Sequence, residues 1–103
     1  MKIRKEEETL FLIPETDLIA NRIEELRDYF AEQLKKHSEV SRVLLDVNGV
    51  DLVDSLGVNL IVGLYRQVTN ESKTIEIVGA GGNFMKVANF FRLTSLFSVN
   101  SEQ

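Results

Sequence analysis

VLLDVNGVDLVDSLGVNLI, residues 43–61, passes from an apolar run through a short loop into Asp54-Ser55-Leu56-Gly57 and then into a helical pattern. Val43, Leu44, Leu45 and Val47 make a run long enough for a buried strand and too short for a helix of its own. Beyond the loop, Val58, Ile61, Val62, Tyr65 and Val68 recur at helical spacing until the polar Asn70, Glu71 and Ser72 end the segment. Ser55 therefore stands at a helix start. Unpaired backbone N–H groups and the positive end of the helix dipole favour an oxygen or a phosphate there, so its hydroxyl reads as a helix cap, a switch, or both.

Upstream, Lys2 to Glu6 and Thr9 to Pro14 read as two strands joined by a turn at Glu7 and Glu8, with Leu10, Phe11, Leu12 and Ile13 coverable on both faces. Thr16 or Asp17 is placed to cap a helix in which Ile19, Ile23, Leu26, Phe30 and Leu34 form one apolar stripe, running to about His37. Downstream, Lys73 to Val78 reads as a strand with Ile75 and either Ile77 or Val78 facing the core. Gly79-Ala80-Gly81-Gly82-Asn83 then turns into a third helix whose Phe84, Val87, Ala88 and Phe91 share a face, with Leu93 to Val99 packing back onto it.

Strands alternating with helices imply a single α/β domain over residues 1–103, with a mixed four- or five-stranded sheet, parallel later strands, and helices packed mainly on one face. The Ser55 loop and the Gly79 to Asn83 loop both lie at carboxyl ends of parallel strands, which brings them together in space.

Composition excludes several classes of function. A chain of 103 residues with 44% apolar side chains suits one domain burying roughly 60–65% of its unfolded surface. With 12 Lys+Arg against 16 Asp+Glu and no basic stripe, nucleic acid is not an expected partner. No cysteine is present, the N-terminus is charged, and no apolar run approaches a membrane span, so the expectation is a cytoplasmic protein without disulfides or a membrane partner.

Catalytic signals are thin, and no enzyme activity, metal or cofactor is expected. The G-x-S-x-G elbow is absent around Ser55, and no metal-ligand spacing occurs. The single His37 ends a charged helix, where it complements the dipole better than it serves as a base. The glycine-rich turn lacks the Gly-Lys-Ser/Thr of a phosphate loop, and Phe84 stands where a dinucleotide-binding pattern needs glycine.

These residues resemble the STAS domain of anti-sigma factor antagonists over nearly the whole chain. The specific match is Val43-Leu44-Leu45-Asp46-Val47 followed by the Asp-Ser-x-Gly signature at Asp54-Ser55-Leu56-Gly57. Asp17-Leu18-Ile19-Ala20-Asn21 before the first helix and Phe91-Arg92-Leu93-Thr94-Ser95-Leu96-Phe97 near the end add to it. The resemblance implies a partner switch: the antagonist binds an anti-sigma factor serine kinase, which carries the ATP, phosphorylation of Ser55 ends that binding, and a phosphatase resets it.

Two positions depart from the family pattern, Leu56 where a small residue is usual and Asn59 where a second glycine is common. With Asp54, Ser55, Gly57 and Asp46 they make up the expected partner-binding set. Asp54 either orients the serine or acts as a turn carboxylate, and Asp46 either bonds the switch loop or ends a solvated strand. Two other roles of such domains compete: an accessory subunit of a lipid-transport ATPase, and a small-molecule sensor built on the two clustered loops.

Overall fold

The computed structural model describes residues 1–96 and 99–101. In chain order the elements are β1 (Lys2–Glu6), β2 (Thr9–Ile13), α1 (Ala20–Lys36), β3 (Arg42–Asp46), α2 (Ser55–Asn70), β4 (Thr74–Ala80), α3 (Gly82–Phe90), a 3-10 turn (Leu93–Ser95) and β5 (Val99–Ser101). The five strands hydrogen-bond in sequence order, antiparallel between β1 and β2 and parallel from there on. Glu6 faces Thr9 across the Glu7-Glu8 turn, as the sequence predicts, and Glu7 takes a positive φ of 55° to close it.

Strand register sorts the side chains into two unlike faces. Leu10, Val43 and Ile75 lie side by side, as do Leu12, Leu45 and Ile77, and all six are buried in one core with Ile23, Leu26, Phe30, Ile61 and Leu64 of the helices. The other face carries Phe11, Leu44 and Glu76 in register, with the Arg4 guanidinium 4.0 Å above the Phe11 ring and Arg42 paired to Glu76 at 3.1 Å. Leu44 is buried without joining the core. The expectation that β2 is covered on both faces is therefore corrected: Phe11 and Ile13 are only half-buried, because the helices pack against the opposite face.

The α1 stripe is as predicted from Ile23 on, with Ile23, Leu26, Phe30 and Leu34 buried, but the helix begins later than expected, so Ile19 falls at its cap and is only half-buried. Neither Thr16 nor Asp17 caps it. Ile19 occupies the cap position with a side chain that has no acceptor to offer, and Asp17 is engaged elsewhere. At the third helix Phe84 and Ala88 are buried, whereas Phe91 is 43% exposed, since α3 stops at Phe90 and the chain turns through a left-handed Arg92. Leu93 packs back into the core as predicted; Phe97 lies outside the described residues. A fifth strand at residues 99–101 brings the sheet to the larger of the two strand counts expected from the sequence.

Candidate functional site

The candidate site is built where two loops zip together ahead of α1 and α2. Leu18 N–H donates to the Leu52 carbonyl at 2.9 Å and Asp54 N–H donates to the Leu18 carbonyl at 3.1 Å, forming a short parallel bridge between Leu18 and Val53. Asp17 locks the same junction, its Oδ1 accepting from the N–H groups of Asp51 and Leu52, each at 3.0 Å. Both helices thus start from one braced point.

Asp54 is the keystone of that point. Its Oδ1 accepts from Gly57 N–H at 2.9 Å, which caps α2, and its Oδ2 accepts from Ala20 N–H at 2.8 Å, which caps α1. Helix starts leave several N–H groups without intrahelical partners, and here one carboxylate serves two of them. Donation from Gly57 N–H, with a smaller contribution from Ala20 N–H, holds the Asp54 carboxyl below its ordinary pKa against the opposing effect of burial.

Gly57 is fixed by sterics. A Cβ there would overlap the Leu18 carbonyl oxygen and come within 2.9 Å of both the Leu18 Cβ and a Val53 methyl. The glycine of the signature lets α2 approach the loop that starts α1.

Ser55 stands apart from this bracing. It is the first residue of α2 rather than its cap, it is exposed, and among the described residues no hydrogen bond involves its hydroxyl. The expectation that Ser55 caps the helix is corrected: Asp54, one residue earlier, has the extended backbone and the acceptor that the cap position requires. Leu56 points outward, 46% exposed, and Asn59 is exposed one turn further along.

Asp46 is not brought into this constellation. Its Oδ1 accepts from Asn48 N–H at 3.0 Å and lies 3.0 Å from where a Cβ on Gly79 would sit, so it shapes its own loop instead of bonding residues 54–57. The expected turn over Gly79 to Asn83 is corrected: Gly79 and Ala80 end β4, with Gly79 at φ +75° close against Asn48, Gly81 is the cap of α3, and Gly82 and Asn83 are already helical.

The two loops meet as the topology predicts. Asn83 Nδ2 donates to Asp51 Oδ1 at 2.9 Å, and a shallow cleft of about 460 Å³ opens between Leu52, Asp54, Asn83 and Lys86. Asp17 and Asn83 are residues whose role in the junction sequence reasoning missed. Both act across more than 30 residues of chain, which no local pattern reports. Among the described residues no group of acidic or imidazole side chains could hold a metal ion, and no helix is long and apolar enough to cross a membrane.

Comparison with known proteins agrees with this architecture. A family model described as MlaB, STAS domain, matches residues 1–98. No curated protein matches the sequence. Among solved structures, TM1081 of Thermotoga maritima, provisionally described as an anti-sigma factor antagonist, superposes with a TM-score of 0.88 at 12% identity, covering 97% of this chain and 85% of that one. The anti-sigma factor antagonist SpoIIAA in its unphosphorylated form gives 0.70 at 16% identity, over 99% and 87% of the two chains. The Bacillus cell fate determinant SpoIIAA in the phosphorylated form gives 0.72 at 16% identity, over 99% and 91%. At such identities the likeness is one of fold.

An α/β domain of this topology, with Asp-Ser-x-Gly bracing two helix starts, defines a class of domain. The chain belongs to the STAS domain family.

Proposed function

We propose that this protein is an anti-sigma factor antagonist that works by partner switching, binding an anti-sigma factor serine kinase through the start of α2 and leaving it when Ser55 is phosphorylated. The observation that carries this reading is the division of labour in the signature. Asp54 and Gly57 are locked into the fold, while Ser55 between them is exposed and structurally idle. A kinase can reach that hydroxyl without unfolding anything, and the fold accepts the product, since a helix N-terminus favours negative charge.

A phosphate adds about −1.5 to −2 charge at this point. Against a partner carboxylate about 5 Å away, at an effective dielectric near 20, each unit of charge repels by roughly 3 kcal/mol. One unit of that charge alone weakens binding by about a hundredfold. This chain catalyses nothing in the cycle: the kinase partner carries the ATP, a phosphatase restores the serine, and the exchange takes place in the cytoplasm. Leu56 and Asn59, exposed beside the serine, form the contact surface with it.

Incubation with ATP and a candidate kinase, followed by mass spectrometry, is expected to place one phosphate on Ser55. Ser55→Asp is expected to lose the kinase and Ser55→Ala to keep it. Equal affinity of the wild type and Ser55→Asp for the kinase would sink the proposal.

The outward Leu56 favours one second reading, an accessory subunit of a lipid-transport ATPase held by apolar contact without any phosphate. It predicts co-purification with an ATPase and an unmodified Ser55.

A further inference from the structure

The helices α1 and α2 do not close against each other along their outer edges. Between them runs a groove of about 420 Å³, walled by Ile23 and Arg27 of α1 and by Leu56, Gly63 and Gln67 of α2. Its floor is the outer edge of the core, Leu60 and Leu64. From Leu56 to Gln67 the groove spans three helical turns, about 16 Å.

Gly63 is the informative residue. A glycine inside a helix costs about 1 kcal/mol relative to alanine. Unlike Gly57, its position makes no internal demand for one, since a Cβ placed on Gly63 would meet nothing within 4 Å. The notch it leaves opens into the groove, where a foreign backbone could approach α2 closely. Among the described residues the only charged group lining the groove is Arg27, whose nearest carboxylate, Asp28, is 4.0 Å away at the limit of an ion pair.

We propose that the α1–α2 groove is a docking site for an amphipathic helix of a partner protein, with apolar side chains over Leu60 and Leu64 and a carboxylate on Arg27. The walls are two helices whose backbone groups are already paired along their length, so main-chain augmentation by a strand is not available. A helix laid in the groove presents anchors at i, i+4 and i+7 over about two of these turns, and its backbone passes Gly63 where a side chain would obstruct it. The lone cation in an otherwise neutral lining selects an acidic residue on the incoming face. The inference deepens the proposed partner contact and rests on it, since Leu56 and Asn59 belong both to that surface and to the groove. It extends the contact along α2 to Gly63 and Gln67, about 12 Å and 18 Å from Ser55, and peptide docking is read separately from Ser55 phosphorylation.

The test uses a lactam-stapled helical peptide of about 14 residues with leucines at i, i+4 and i+7 and a glutamate on the same face, and a second peptide with lysine in its place. With isotopically labelled full-length protein, the glutamate peptide is expected to shift the amides of Leu56, Asn59, Gly63 and Arg27, and the lysine peptide to bind about tenfold more weakly. Gly63→Leu fills the notch and is expected to cut affinity at least tenfold while melting at or above the wild-type temperature, which separates lost docking from lost folding. Binding that survives Gly63→Leu, equal binding of the two peptides, shifts mapping to the Leu52–Lys86 cleft or the helix-free sheet face, or no binding at millimolar peptide would each overturn the proposal.

Discussion

Replacing Asp54 by alanine removes the shared acceptor from two helices at once, and the cost follows from the geometry. Losing an N-cap costs about 0.5–2 kcal/mol, and a hydrogen bond to a charged acceptor is worth about 1.5–3 kcal/mol net. Two such bonds at a half-buried site, with water able to reach the freed N–H groups in part, give an expected loss of about 2–3 kcal/mol. For a domain of this size that lowers Tm by about 10–20 °C. Asp54→Asn keeps one acceptor oxygen but turns an NH2 toward the other helix, so about half the loss is expected.

Urea unfolding with thermal melts measures the cost, and amide exchange locates it. Ala20 and Gly57, whose N–H groups meet the same carboxylate at 2.8 and 2.9 Å, are expected to lose protection together. A loss below about 0.5 kcal/mol, or deprotection of Gly57 with Ala20 unchanged, would refute the double cap.

The pH dependence follows from the same carboxylate. Its folded pKa is depressed, so its contribution is fully present above the unfolded value of about 4 and is lost as pH falls through the folded pKa. The stability gap between wild type and Asp54→Asn is expected to be constant from pH 7 to 5 and to shrink below pH 4; a gap unchanged at pH 3 contradicts it. Gly57→Ala is expected to cost about 1–3 kcal/mol, because the new methyl overlaps the Leu18 carbonyl oxygen, and a melt at or above wild type would exclude that clash. Ser55→Ala is expected to leave stability within about 0.5 kcal/mol, checked in the same urea titration; a loss above 1 kcal/mol would return the cap role to the serine.

Much of this fold is legible in the sequence because its signals are local and periodic. The stripes on α1 and α2 and the apolar runs of β2, β3 and β4 place each of those elements to within a few residues. What is not legible is what acts across the chain. A serine before a helical pattern looks like a cap, but the true acceptor is the neighbouring Asp54, and its second bond goes to a helix whose start only the folded chain brings near. Asp17 has the composition of a cap for the helix beside it and instead holds the loop 34 residues on. Phe91 fits the apolar period of α3, yet the helix ends one residue too soon to bury it. The candidate site divides the same way: Ser55, Leu56 and Gly57 are found from the signature, while Asp46 belongs to a different loop and the groove residues Arg27 and Gly63 carry no motif.

The bracing by Asp54 and Gly57 also bears on how such signatures convey information. Two of the three defining letters in Asp-Ser-x-Gly are demanded by the architecture of the loop and would be kept in a chain that never meets a kinase. Only the serine is free to vary without penalty to folding. A search that weighs all three letters equally therefore detects the brace of the domain, and the hydroxyl at position 55 is the one letter of the three that the brace does not require.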